Sequence, residues 1–485
     1  MELKERLAKI VGAKYVSDKP DSLKVYAQDY SLTPPMLPNF AVQPKDSQEI
    51  QQIVRLADEY RMPVIPVSSS VHFQGATIPS QGGLILDLRR MNRILEVNEL
   101  DRIIRLESGV TWQQAQNELQ KHQGAIISPL GVHPLRSVVT DYLEREVPTS
   151  AMYEYSEPLM SMEVVWANGE IFRTGSASAP GYPDGPSKGA NPQGPGLDFF
   201  RLLQGAQGTM GIVTWAAVKY EYLAPVNKVF FMTFKQIEDA IEPIYKIQRM
   251  VIGNECLLLN NIDLATILAE KWPEDFKRLR ETLPPYTLCL VVSGSRARPE
   301  EKIQYQEEAL KELTKNFLKI ELLTALPGVP GLEKRLPSLL RQPWAEDSTN
   351  YWRLRYKGGW QSLFFVTLPE KVPAYTAIVS QVAARHGCLM SDVGVYLQPI
   401  ERARACQCQF NFYYNPDDAA ERQQISQLYA EAAQSLLNNG AFFTRPYGIL
   451  ADMVYGRATN YVVALKKVKK IFDPHNILNP GKLCF

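Results

Sequence analysis

The loop Ser68-Ser69-Ser70-Val71-His72-Phe73-Gln74-Gly75 directly follows the apolar run Pro63-Val-Ile-Pro-Val67. A pyrophosphate is held by backbone N–H groups on a loop whose small residues let the main chain come close. Serine adds hydroxyl donors, although it enters positive φ less easily than glycine. The same composition also reads as an ordinary Ser-rich turn. The downstream step Gly82-Gly83 and the strand and turn Leu84–Asn92 favour the phosphate reading. Arg136 could offset phosphate charge or simply face water. The run Tyr351-Trp352-Arg353-Leu354-Arg355-Tyr356 is a third group. At strand spacing Trp352, Leu354 and Tyr356 share one face and Arg353 and Arg355 the other. That is either a strand with an apolar and a wet basic face, or the wall of an aromatic or anionic substrate pocket. Cys406 and Cys408 would share a strand face, but a metal site needs three or four ligands and no other Cys or His cluster lies near. They read as small buried residues, and no metal is assigned.

The elements that must position these groups are legible around them. Asp46 or Ser47 can cap a helix that carries Ile50, Ile53, Val54 and Ala57 on one face. Pro63–Val67 and Leu84–Leu88 read as strands, and Arg102–Glu107 as an alternating one. Thr111 is the expected cap of the next helix. Ala177–Gly196 is so rich in Pro and Gly that it reads as a surface excursion. After Tyr222-Leu-Ala-Pro225 the character changes. Residues 226–440 alternate amphipathic helices with strands, which suits a separate α+β domain. A helix around Asn460–Phe472 precedes the ending Asp473-Pro-His-Asn-Ile-Leu-Asn-Pro-Gly-Lys482.

At 485 residues the chain exceeds one ordinary core. Its 45% hydrophobic and 22% charged residues describe a globular protein, and a net charge of +1 argues against nucleic-acid binding through bulk charge. No run approaches the ~18 apolar residues of a membrane span. The opening Met1-Glu-Leu-Lys-Glu-Arg-Leu lacks an apolar signal region, so a cytoplasmic location is expected. No GxGxxG opens a βαβ unit, and the six cysteines form no CxxC pair, so neither a nicotinamide nor an iron–sulfur signature is present.

Five segments occur in order: Val64–Gly75, Gly82–Arg93, Met162-Glu-Val-Val-Trp-Ala-Asn-Gly-Glu-Ile-Phe-Arg-Thr-Gly175, Gly208-Thr-Met-Gly-Ile-Val-Thr214 and the Phe472–Lys482 tail. Together they resemble the FAD-binding fold of the vanillyl-alcohol oxidase and p-cresol methylhydroxylase (PCMH) family. The resemblance implies an α+β architecture. A PCMH-type FAD-binding domain of two α+β subdomains would cover 1–225, an α+β cap over the substrate 226–440, and a segment returning to the FAD domain 441–485. It implies FAD, held by Ser68, Ser69, Ser70, Val71, His72, Gln74, Gly75, Ser137, Gly208, Gly211 and Ile212. Serines stand here where the family is richer in glycine, and His133-Pro-Leu-Arg136 replaces the glycines usual before the serine. Many members bind FAD covalently through a cap-domain histidine or tyrosine. With a two-residue gap that position falls on Gln407, whose amide cannot form the link. Non-covalent FAD is therefore expected, with a cysteinyl or tyrosyl link as the alternative.

The family's active-site aspartate falls on Glu154, a potential base. Arg445 is kept, while Thr444 stands where phenol oxidases carry tyrosine, and a second phenolate-binding tyrosine is missing near Gln74 and Gly75. This weakens the case for para-alkylphenol oxidation, though Arg445 could still pair with an anionic oxygen. Trp352, Arg353, Tyr356 and Thr444 are the expected substrate contacts. The function implied is an FAD-dependent oxidoreductase that removes hydride from a C–H next to an oxygen or an aromatic ring of a small molecule. One alternative is a flavin D-2-hydroxyacid dehydrogenase, although its histidine-rich metal motif and Gly-Glu-His-Gly segment are missing. Another is a non-catalytic FAD subunit relaying electrons. An electron-acceptor protein and a homo- or hetero-oligomer are compatible with the sequence.

Overall fold

The computed structural model describes residues 3–150, 158–179, 191–294, 296–345 and 350–485. The chain begins with a four-stranded sheet of order β1-β2-β4-β3, built from β1 (Val16–Ser17), β2 (Phe40–Val42), β3 (Val64–Val67) and β4 (Leu84–Asp87). β2, β4 and β3 run parallel, with Phe40 and Val64 both opposite Leu84. Parallel strands need a crossover, and the helix Ser47–Glu59 supplies it. The Asp46 side chain caps that helix by accepting from the Glu49 N–H at 2.9 Å, and Ile50, Ile53, Val54 and Ala57 are buried. All four residues of β4 are buried, as a strand covered on both faces requires.

A five-stranded antiparallel sheet follows, of order β5-β6-β10-β8-β9. It comprises β5 (Ile94–Asn98), β6 (Ile103–Glu107), β8 (Leu159–Val165), β9 (Ile171–Arg173) and β10 (Ile212–Lys219). β7 (Gly124–Ala125) pairs separately with β11 (Glu221–Tyr222). Thr111 caps the helix Trp112–Gln120 in a reciprocal capping box with Gln114.

The third large sheet is wholly antiparallel, with six strands in the order β12-β14-β13-β16-β17-β15. These are β12 (Val226–Phe234), β13 (Glu255–Asn260), β14 (Tyr286–Gly294), β15 (Gly359–Thr367), β16 (Val393–Ile400) and β17 (Ala405–Tyr414). One face packs on the helices Ile241–Arg249, Val372–Arg385 and Ala419–Asn438 in an apolar core that includes Phe410, Phe412 and Leu428. The opposite face packs with Val71, Phe73 and Leu130 from the first part of the chain.

The C-terminal tail is tied to the first sheet. Val64 N–H donates to Ile477 O at 2.7 Å and Asn479 N–H to Val64 O at 2.9 Å. Lys469, buried at the end of the helix Thr459–Phe472, donates to the Asp473 carboxylate at 2.6 Å and to the carbonyls of Thr209 and Leu478. Among the described residues no helix is long and apolar enough to cross a membrane.

Candidate active site

A cavity of about 950 Å³, counting the open space at its mouth, lies beside the loop that leaves β3. Ser68, His72, Phe73 and Gln74 wall one side, and Gly208, Gly211 and Ile212 another. The main-chain N–H groups of Ser69 through Gln74 meet no acceptor among the described residues. A run of backbone donors without partners in the chain, beside a cavity, is what an anion cradle needs. Ser68 Oγ lies 2.6 Å from Thr140 Oγ1. Ser69 and Ser70 line an outer cleft, with Arg89 and Arg422, that shares His72 and Thr77 with the cavity. Val71 is buried against the six-stranded sheet.

His72 Nε2 lies 2.8 Å from Ser69 O. Burial pushes its imidazole down to about 4, so the ring is neutral at neutral pH and carries its proton on Nε2 to make that bond. Gly75 sits at φ +72°, its N–H on Asp29 Oδ2 at 2.7 Å. A Cβ there would fall 2.0 Å from Thr33 Oγ1, so only glycine lets the loop close on residues 29–33. At Gly208, φ +71°, a Cβ would strike Pro66 at 2.5 Å, which fixes this turn against β3. Ser137 caps the helix Val138–Leu143. Its hydroxyl accepts from Thr140 N–H at 3.1 Å and donates to Ser108 O at 2.6 Å.

The far wall is charged. Arg136 is not a surface arginine: its side chain is 12% exposed, it pairs with Asp141, lies 3.8 Å from Glu146 and sits over the Phe73 ring at 5.7 Å. Arg445, 3% exposed, pairs with Glu146 at 3.1 Å, donates to Gln407 Oε1 at 3.2 Å and lies over Phe364 at 4.2 Å. Burial alone would raise the Glu146 carboxyl, but Arg445 and Arg136 together hold it below its usual range. Glu144 differs. Burial pushes its carboxyl up, opposed mainly by the Tyr447 hydroxyl that donates to it at 2.6 Å. Glu144, Glu146, Arg136 and Tyr447 all border the cavity.

The six-stranded sheet supplies a polar ladder next to this cluster. Along β17, Gln407 Nε2 donates to Gln409 Oε1 at 3.2 Å and Gln409 Nε2 to Asn411 Oδ1 at 2.7 Å. Asn411 Nδ2 and Tyr413 OH both donate to Asp263, each at 2.7 Å. The ladder therefore runs from Arg445 to Asp263 with every donor pointing the same way. Burial raises the Asp263 carboxyl to about 6 against those hydrogen bonds.

Residues 351–358 form successive turns rather than a strand. Leu354 and Arg355 N–H groups both donate to Tyr351 O, at 2.8 and 3.0 Å, so the even spacing of the sequence sorts no faces here. Trp352 is buried and donates to Gly131 O at 2.9 Å. Arg353 lies over the rings of Trp352 and Trp360 at 5.0 and 4.5 Å. Tyr356 accepts from Arg280 at 2.7 Å and packs on Phe276 and Tyr413. Thr444 is half-buried and does not border the cavity. Glu154 lies outside the described residues.

Comparison with known proteins decides the family. The FAD binding domain model matches residues 38–175, and the model for the C-terminal domain of FAD linked oxidases matches residues 223–483. The chain belongs to the FAD-linked oxidase family. It is similar to the glycolate oxidase subunit GlcD of Bacillus subtilis, 23% identical over 99% of this chain and 96% of that protein. It is also similar to the 4-cresol dehydrogenase [hydroxylating] flavoprotein subunit of Pseudomonas putida, 26% identical over 92% of this chain and 87% of that one. The fold is that of p-cresol methylhydroxylase, whose substrate-bound crystal structure covers 100% of this chain and 96% of its own, with TM-score 0.85 and 19% identity. The α+β, PCMH-type architecture expected from the sequence is the one found.

As a member of the FAD-linked oxidase family the chain is an FAD-dependent enzyme. Its residues fit that cofactor. Besides the unpaired amide row, Asn479 Oδ1 is buried without a donor among the described residues where Asn479 borders the cavity. Its Nδ2 is spent on Gln207 O and Ala76 O at 2.7 and 3.0 Å. Sequence reasoning passed over Glu144, Glu146, Tyr447 and Asn479 as site residues. The signal for the two glutamates was three charged residues in a row, Glu144-Arg145-Glu146, directly after the largely buried helix Val138–Leu143; Tyr447 carried none.

Proposed function

We propose that the chain binds FAD non-covalently and removes hydride from a C–H next to an oxygen or an aromatic ring of a small substrate. The observation that carries this reading is the Glu144–Tyr447 pair on the wall of the cofactor cavity. Bound FAD supplies the two-electron acceptor. A carbinol or phenol that loses hydride must also lose its O–H proton, and a carboxylate raised toward neutrality is suited to take it. Glu144 takes that role, with Tyr447 orienting its carboxyl, while Glu146 stays ionised and holds Arg136 and Arg445 in place. The amides of Ser69–Gln74 would hold the pyrophosphate, with Gly208, Gly211 and Ile212 as the wall beside it. Residues 226–440 would form the cap, with 1–225 and 441–485 the FAD-binding part. Support for that division comes from the separate six-stranded sheet and the pairing of the tail with β3.

The deciding experiment is anaerobic stopped-flow reduction of the flavin with aromatic alcohols, alkylphenols and 2-hydroxy acids. Glu144→Gln should slow reduction by roughly the 10²–10⁴-fold of a general base. A normal rate in Glu144→Gln with a slow Glu154→Gln would move the role to Glu154. Acid precipitation should release the flavin, because Gln407 has no nucleophile to hold it; flavin left on the denatured chain would refute non-covalent binding.

A further inference from the structure

A second cavity lies at a seam in the molecule. It measures about 1280 Å³ with the open space at its mouth, and it shares no lining residue with the cofactor cavity. One wall comes from the β7–β11 pair and the chain beside it. The other comes from β13, β14 and the helices Pro299–Glu312 and Leu332–Arg341. The two walls are tied together where they meet: Ser128 Oγ and Thr149 Oγ1, both buried, donate to Leu340 O at 3.2 Å. Walls fixed in this way need little reordering to accept a ligand.

Apart from the Tyr222 ring, the apolar lining is aliphatic: Ala125, Ile126, Ile127, Leu223, Ala224 and Pro225. The charged lining is unbalanced. Arg102, Arg296, Lys302 and Arg341 border the cavity against two carboxylates, Glu221 and Glu255. Arg341 is spent. Its Nε and Nη2 donate to the Glu255 carboxylate at 2.7 and 2.8 Å, and its remaining bonds go to Asn227 Oδ1 and Ser293 Oγ at 3.0 and 2.6 Å. Arg102 pairs with Glu221. Arg296 and Lys302 are left over. The Arg296 guanidinium lies over the Tyr222 ring at 3.8 Å and reaches only Gln123 Oε1, at 3.4 Å. The Lys302 ammonium meets no acceptor among the described residues.

Two cations that no carboxylate of the lining answers, beside an aliphatic surface, fit one kind of occupant. It carries an anionic head on a saturated carbon body. The head answers the two cations by charge-assisted hydrogen bonds, and the body takes the aliphatic wall out of water. An inorganic anion would use only the first half of the site, and a neutral hydrocarbon only the second.

We propose that the seam cavity is a second binding site, for a small aliphatic carboxylic acid, with Arg296 and Lys302 on its carboxylate and Ile126, Ile127 and Leu223 along its chain. The site draws on no residue of the cofactor cavity and stands apart from the oxidoreductase reading.

Calorimetric titration of the FAD-loaded protein with hexanoate and its uncharged counterpart hexanamide tests it. Hexanoate should bind one to one, about tenfold more tightly than hexanamide. From butanoate to hexanoate the affinity should rise by up to about fourfold per methylene, the value of a buried CH₂. Arg296→Gln and Lys302→Gln should each weaken hexanoate about three- to fivefold, a modest effect because Arg296 is exposed and Lys302 half-exposed. The double variant should lose about tenfold, with hexanamide binding, flavin content and unfolding midpoint unmoved. Ala224→Phe, which fills the aliphatic wall, should weaken both probes. The absence of saturable hexanoate binding, or equal affinity for the two probes, would overturn the site. So would hexanoate binding that survives the double variant unchanged, as binding in the cofactor cavity would.

Discussion

The two faces of β17 do different work. Cys406, Cys408, Phe410, Phe412 and Tyr414 point into an apolar core with the helices behind the sheet, and burial raises both thiols well above their ordinary range. Gln407, Gln409, Asn411 and Tyr413 point the other way and carry the hydrogen-bonded ladder from Arg445 to Asp263. Both faces are buried. The first is held by packing, which tolerates apolar neighbours of many shapes. The second is held by directional bonds, where each group depends on the next. Apolar packing and directional hydrogen bonding are thus divided across one backbone, one residue apart.

The sharpest way to break this comparison is Arg445→Ala. It leaves Gln407 Oε1 without its donor and Glu146 with Arg136 alone, at 3.8 Å, and breaking a buried ion pair costs about 3–5 kcal/mol. Denaturant unfolding should show that loss together with slower flavin reduction. If reduction slows while stability is unchanged, Arg445 serves substrate alone and the ladder is not structural. Phe410→Ala, on the apolar face, should destabilise by about 3–5 kcal/mol as well, through transfer and cavity costs. Here the surviving folded protein should reduce its flavin at the wild-type rate. A rate that falls with it would mean the faces are not independent.

Asp263 offers a smaller, pH-dependent test. Its folded-state value of about 6 lies above the ordinary 3.8, so the folded state holds the proton more tightly than the unfolded chain. Stability from this group is therefore greatest at low pH and declines as pH rises from about 4 to 6, by on the order of 2–3 kcal/mol. Asp263→Asn should gain on the wild type across that window when unfolding midpoints are compared, and parallel pH curves would count against it. The smallest effect is expected from Tyr447→Phe. The Tyr447 hydroxyl lowers the Glu144 carboxyl, so its loss should move the acidic limb of the flavin-reduction profile to higher pH. An unmoved limb would separate Glu144 from the proton transfer.

Much of the frame was legible from local sequence because its causes are local. The Asp46 and Thr111 caps, the strands at Val64–Val67 and Leu84–Asp87, and the helix ending at Phe472 each follow from patterns within about a dozen residues. Residues 351–358 broke the pattern because the alternation of Trp, Arg, Leu, Arg and Tyr arises from what each ring packs against in turns, not from a strand. The resemblance across five segments carried the cofactor and the fold, and from it came the expectation that Arg445 serves the site. It could not say that Arg445 is already matched by Glu146, since those residues lie 299 positions apart and meet only through the docking of the tail.

By itself, then, the sequence determined the periodicity of each element, the small residues where the chain must pass close to itself, and the alternation of β17 between two chemistries. The tertiary structure decided which charges are spent and which are left over. Arg136 and Arg445 are neutralised by carboxylates, while Arg353 Nε, Tyr351 Oη and Trp360 Nε1 have no hydrogen-bond partner among the described residues. Hydrogen bonds and ion pairs reach only a few ångströms and do not follow the chain, so their partners are fixed by how distant segments dock, which no local pattern encodes.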